Sequence, residues 1–177
     1  MAYTVVVYMK KILLALFVGL SFGAVIPQIA HAQKLSTTAA RKQIQACYNL
    51  QEKAMKTENI EIIDGLLSTD YTSYNILRIA TDRNAALNTD RFLFRLPSDT
   101  LRYETQITSI QPRGVDMIVM TKVTMETVAG SGARSIRTKS IATYRDFWSP
   151  FKNSNGWVLR QTVELTAESW ANGKKVF

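Results

Sequence analysis

At Pro97 the hydrophobic period of this 177-residue chain changes. Before it, apolar residues recur every three or four positions, the spacing of a helix with one buried face. After it, they alternate every second position, the spacing of a strand with one face buried and the other wet. A chain that reads helices first and strands second, within one domain's length, predicts a two-layer α+β domain with the helices packed on one face of an antiparallel sheet.

The helical half begins at Ser36. Ala40, Ile44, Cys47, Tyr48, Gln51 and Met55 form one stripe, and Ser36 or Thr37 can cap its start. Asn59 caps a short second helix that turns Ile60, Ile63, Leu66 and Leu67 inward. Asp70 to Ile76 reads as a short strand. Asp82 caps a third helix that packs Ala86, Leu87 and Phe94 and stops at Pro97. Four long strands follow, over 101–111, 116–128, 134–148 and 157–170, separated by turns rich in Gly, Pro and Asn. Short turns between consecutive strands make them antiparallel neighbours. In the last strand the alternation places Trp157, Leu159, Val163 and Leu165 on one face and Arg160, Thr162, Glu164 and Glu168 on the other.

The first 32 residues read as a secretory signal peptide rather than as part of the fold. Lys10 and Lys11 precede an apolar run from Ile12 to Ile26, and Ala30-His31-Ala32 supplies an A-x-A cleavage site before Gln33. An uncleaved membrane anchor is the competing reading, and the Pro27 break and the cleavage site argue against it. The apolar octamer ahead of the Lys pair points to Met9 as the true start. The expected product is a single domain over 33–177, periplasmic or secreted, with no stable membrane anchor once the signal is removed.

Cleavage also sets the chemistry. The only His, His31, leaves with the signal, so the remaining 145 residues contain none. Ser-His-Asp or Cys-His nucleophilic chemistry, a His-ligated zinc site and an imidazole base are thereby excluded. A single Cys rules out an internal disulfide and a Cys-cluster metal site, so no metal and no cofactor is expected. Basic residues fall from 22 to 20 against 14 acids, a net charge of +6. Outside the cytoplasm that charge meets anionic surfaces rather than chromosomes, so no nucleic-acid partner is expected. Arg137, Lys139 and Arg145 share a strand face as a basic stripe, either for an anionic partner or for cross-strand pairing with acids such as Glu126 and Glu164.

The order of elements and two local stretches resemble the nuclear transport factor 2-like superfamily, including SnoaL-like proteins and ketosteroid isomerases. The stretch over 55–75, MKTENIEIIDGLLSTDYTSYN, places Asn59 at a capping position, Leu66-Leu67 at a hydrophobic pair and Asp70 where an acid opens the first strand. The end over 153–165, NSNGWVLRQTVEL, is similar to the superfamily's last hairpin through Gly156, Trp157 and Leu159. The resemblance implies a cone-shaped (cystatin-like) fold with a pocket between helices and sheet, and a homodimer through the sheet. In ketosteroid isomerases a helix-1 Tyr, a carboxylate base and a deep protonated acid do the chemistry. Aligned without gaps, these positions fall on Gln51, on Asn75 and near Thr143, and Asn75 cannot serve as a base.

Two functions of different classes follow. One is non-catalytic binding of a small apolar or aromatic ligand, or of a protein partner, with Gln51, Tyr71, Tyr74, Asn75 and Tyr103 as candidate ligand-binding residues. The other is a SnoaL-like lyase or isomerase acting on a small organic molecule, with Asp70 as carboxylate base and Glu104 or Asp146 in reserve.

Overall fold

The computed structural model describes residues 36–130, 132–152 and 156–177. The signal-peptide expectation for 1–32 lies outside the described residues. Helix α1 spans Thr37–Thr57, α2 Ile60–Leu66 and α3 Arg83–Phe94. Each starts at the polar cap its sequence offers. The side chains of Ser36, Asn59 and Asp82 accept hydrogen bonds from the Ala39, Glu61 and Ala85 amides, satisfying donors that a helix start leaves unpaired.

The strands are β1 (Leu67–Tyr74), β2 (Ala80–Asp82), β3 (Ser98–Arg113), β4 (Asp116–Ala129), β5 (Ile136–Pro150), β6 (Trp157–Ala171) and β7 (Lys174–Lys175). They form one sheet in the order β2-β1-β6-β5-β4-β3, with β7 added to β6. The four long strands pair antiparallel in chain order, as their short turns require. The β1–β6 pair is parallel, so the sheet is mixed. No short turn joins those two strands, and nothing local therefore imposes the antiparallel direction.

Register shifts curve the sheet. In β6 the partner of Phe147 is Gln161 and the partner of Trp148 is Leu159, so Arg160 is an extra residue; Leu165 is a second one between the partners of Thr143 and Tyr144. Each bulge exchanges the two faces. Trp157 and Leu159 face the helices with Trp148. Beyond the first bulge it is Thr162 that aligns with inward Asp146, while Val163 aligns with outward Arg145. The strict alternation expected along β6, with Val163 and Leu165 beside Trp157 and Thr162 opposite, is corrected by these two residues.

The core joins Ala40, Ile44, Cys47 and Tyr48 of α1 to Ile107, Met117, Val119, Trp148, Trp157 and Leu159 of the sheet. A second cluster, Ala54, Met55, Ile63 and Leu87, ties the end of α1 to α2 and α3. Polar side chains of α1 also serve the outer edge of β3. Arg41 and Gln45 donate to the Ile107 and Thr105 carbonyls, and the Thr105 amide donates to Glu52. Among the described residues no helix is long and apolar enough to cross a membrane.

Candidate functional site

Between the helices and the inner sheet face lies a cavity of about 310 Å³. Two inward positions of β5, Tyr144 and Asp146, build its floor. Tyr144, Asp146 and Trp148 alternate onto one face, and Asp146 is only 4% exposed. Tyr48 comes down from the buried stripe of α1. Its hydroxyl donates to Asp146 Oδ2 at 2.6 Å and accepts from Trp148 Nε1 at 2.9 Å. The two rings meet edge to face with centroids 5.3 Å apart, which fixes the Tyr48 ring over the site. Thr121 Oγ1 donates to the same Oδ2 at 3.4 Å. Asp146 Oδ1 has no protein partner.

The rest of the wall comes from helices and from strands on both sides of β5. Gln51 stands one turn beyond Tyr48 on α1, Tyr71 and Ser73 project from β1, Tyr103 from β3, and Ala86 and Asp90 from α3. Ala86 and Asp90 are four residues apart, so one helix face presents both. Burial pushes the Asp146 carboxyl up to about 6, against the lowering effect of the Tyr48, Thr162 and Thr121 hydroxyls. Burial alone pushes Asp90 up to about 6. Tyr71 rises to about 12, mainly by burial, with added repulsion from Asp146 and Asp90. Tyr103 is shifted up by burial and by the negative charges around it, again including Asp90 and Asp146. Cys47, raised to about 11 by burial, is inert packing on the α1 stripe.

Of the residues singled out from sequence, Gln51, Tyr71 and Tyr103 line this cavity. Asp70 does not. It lies on the outer face with a side chain 57% exposed, ion-paired to Arg160. The hydrogen bond from Arg160 holds its carboxyl below the usual range, the opposite of what a base near neutral pH needs. Strand alternation separates it from inward Tyr71. Tyr74 is not among the lining residues. Asn75 caps the turn after β1, its Oδ1 accepting from the Leu77 and Ile79 amides. The basic stripe is on the outer face. Arg137 and Lys139 line a shallow groove with Glu126 and Trp170, and Arg145 stacks near the Phe147 ring. Among the described residues no cluster of His, Cys, Asp and Glu could hold a metal.

Sequence reasoning gave Asp146 no more than a reserve place and passed over Asp90, Tyr144 and the role of Tyr48. A signal for Asp146 was present: an acid in phase with Tyr144 and Trp148 sits on the apolar face of its strand, where a carboxyl needs partners.

No protein-family model matches the sequence, and no curated protein is similar to it. Solved structures are similar in fold. A nuclear transport factor 2-like protein from Cytophaga hutchinsonii has 11% identity and a TM-score of 0.55, over 70% of this chain and 95% of that one. A protein from Novosphingobium aromaticivorans, named as a candidate scytalone dehydratase, has 12% identity and a TM-score of 0.61, over 73% and 87%. A protein of unknown function with a cystatin-like fold from Nostoc punctiforme has 13% identity and a TM-score of 0.53, over 74% and 92%. Helices on one face of a curved sheet, a cavity between the two layers and these neighbours together establish that this chain has the nuclear transport factor 2-like, cystatin-like α+β fold.

Proposed function

We propose that residues 33–177 form an exported domain that binds a small organic molecule in the cone. The observation that carries this reading is the cavity wall, where Tyr48, Tyr71, Tyr103 and Tyr144 surround the buried Asp146, whose Oδ1 is unpaired. The wall is about half polar, from tyrosine and threonine hydroxyls, Gln51 and the two carboxyls, and placed polar groups of this kind fix the orientation of a small molecule. Tyrosines supply ring surface and a hydroxyl handle at once. Export rests on the Lys pair, the apolar run and the A-x-A site of the first 32 residues. The homodimer is part of the same reading, with the outer sheet face as its surface.

Native mass spectrometry of the protein purified from the periplasm of its own cells tests all three parts. The expected spectrum shows a chain beginning at Gln33, carrying a non-covalent small-molecule mass, in a dimer. Tyr103→Ala should lose that mass and Asp70→Asn should keep it. A bare chain under conditions gentle enough to retain the dimer would count against the binding reading.

A second reading, a lyase or isomerase using a carboxylate, is favoured by one observation. Asp146 is buried, raised to about 6 and held by Tyr48, which is the setting of an acid or base that works near neutral pH. The base would then be Asp146, not Asp70. Asp146→Asn distinguishes the two readings, because a catalyst loses turnover while retaining its substrate.

A further inference from the structure

We propose that the molecule held in the cone is a small organic cation, a protonated amine on a single ring or short chain. This rests on the binding reading above and names the ligand class. The first observation is charge. Outside the first 32 residues the chain carries 20 basic and 14 acidic side chains, yet the cavity is lined by two carboxylates, Asp90 and Asp146, and by no Lys or Arg among the described residues. The charge balance of the chain is inverted in this cavity.

The second observation is an unmet acceptor. Asp146 is 4% exposed, Tyr48 and Thr121 engage its Oδ2, the nearby Thr162 hydroxyl also favours its charged form, and no protein donor makes a hydrogen bond of good geometry to its Oδ1. A buried carboxylate oxygen without a donor is costly, and a charge-assisted N–H donor meets that need better than a neutral one. Both carboxyls titrate near 6, so at neutral pH they are mostly ionised with no cation of the protein beside them. The third observation is the ring surface. Tyr48, Tyr71, Tyr103 and Tyr144 wall the same space, and aromatic faces attract organic cations once water is excluded. Repulsion from Asp146 and Asp90 reaches both Tyr71 and Tyr103, so the negative field covers the cavity rather than one corner of it. A volume of about 310 Å³ is at the small end for ligand pockets, which limits the guest to a single ring or a short chain.

Calorimetric titration with three probes of nearly equal shape decides the matter: benzylammonium, benzyl alcohol and benzoate, at near-neutral pH. The expected result is benzylammonium binding at least about tenfold more tightly than benzyl alcohol, with benzoate weakest. Asp90→Asn and Asp146→Asn should each narrow that preference. If Asp146→Asn does not fold, Asp90→Asn decides alone, since among the described residues Asp90 makes no side-chain hydrogen bond to lose. Benzyl alcohol or benzoate matching benzylammonium would overturn the cation inference and leave the binding reading standing. Failure of all three probes at millimolar concentration would also overturn the cation inference, while the native spectrum decides the binding reading separately.

Discussion

Replacing Tyr48 with Phe deletes one oxygen that serves two buried partners. Trp148 Nε1 loses its acceptor and Asp146 Oδ2 loses its nearest donor. Leaving such groups unpaired costs roughly 1–3 kcal/mol, so Tyr48→Phe should lower the unfolding free energy by that much, read as a lower urea midpoint at unchanged slope, without changing the fold. The Tyr48 bond favours the charged form of Asp146, so its removal should raise that carboxyl further above 6, which carbon-13 titration of the Asp146 side chain would register. An unchanged titration would mean the Tyr48 hydroxyl does not engage the carboxylate. At this scale the sequence was only partly legible. The caps at Ser36, Asn59 and Asp82 could be read because a cap is a local event, settled within four residues. The Tyr48–Asp146 pair joins residues 98 apart in the chain, and no local pattern announces it. The ungapped comparison with ketosteroid isomerases pointed at Gln51 and near Thr143. In the structure the buried hydrogen-bonded pair, Tyr48 and Asp146, is one helical turn and three strand residues away from those positions.

Helix α3 matters to the site because it carries Asp90. Its start is held by Asp82 Oδ1, which accepts from the Ala85 amide at 2.8 Å. Asp82→Ala should cost about 1 kcal/mol of stability, as for other side-chain caps, and should also weaken ligand binding by loosening the helix that closes the cavity. Faster amide exchange along α3 than along α1 in the variant would confirm the local origin. The strands teach a different lesson. Their number, order and antiparallel pairing along β3 to β6 follow from alternation and turn residues alone. The facing of β6 does not, because two single-residue bulges, at Arg160 and Leu165, each reverse the parity. Bulges arise where a curved sheet must keep its hydrogen bonds, a demand set by neighbouring strands rather than by the bulged strand's own residues. The parallel β1–β6 pair and the three-residue β2 escaped for the same reason.

For the molecule as a whole, the carboxyls of buried Asp146 and half-buried Asp90 make stability depend on pH. Asp146 and Asp90 hold a proton more tightly in the folded state, near 6, than in the unfolded chain, near 3.8. Folding therefore gains from their protonation fully below about pH 4, and that gain is lost as the pH rises through about 6. The expected profile falls between those limits, by of order 2–3 kcal/mol for Asp146 alone. Exposed Asp70 and Glu104 are shifted the other way, but surface ion pairs contribute little. Urea midpoints between pH 4 and 7.5 would trace the slope, and Asp146→Asn should flatten about half of it, since Asp90 is raised as far. A stability that climbs across the same interval would show that Asp146 is not raised. A bound cation reverses part of the effect, because it favours the ionised carboxylates.

The polar side chains that α1 lays along β3 have a consequence for how this chain behaves in company. A 16-residue strand with an open edge is a template on which another copy could crystallise its own backbone, and the opposite edge of the sheet ends in only three residues of β2. Arg41, Gln45 and Glu52 occupy the template's middle, answering the Thr105 amide and the Thr105 and Ile107 carbonyls before a foreign strand can. Protection against polymerisation is therefore held in a helix and not in the strand it guards. Whatever frays α1 opens the template at the same moment, so resistance to fibre growth can be no greater than the lifetime of the first helix on the sheet.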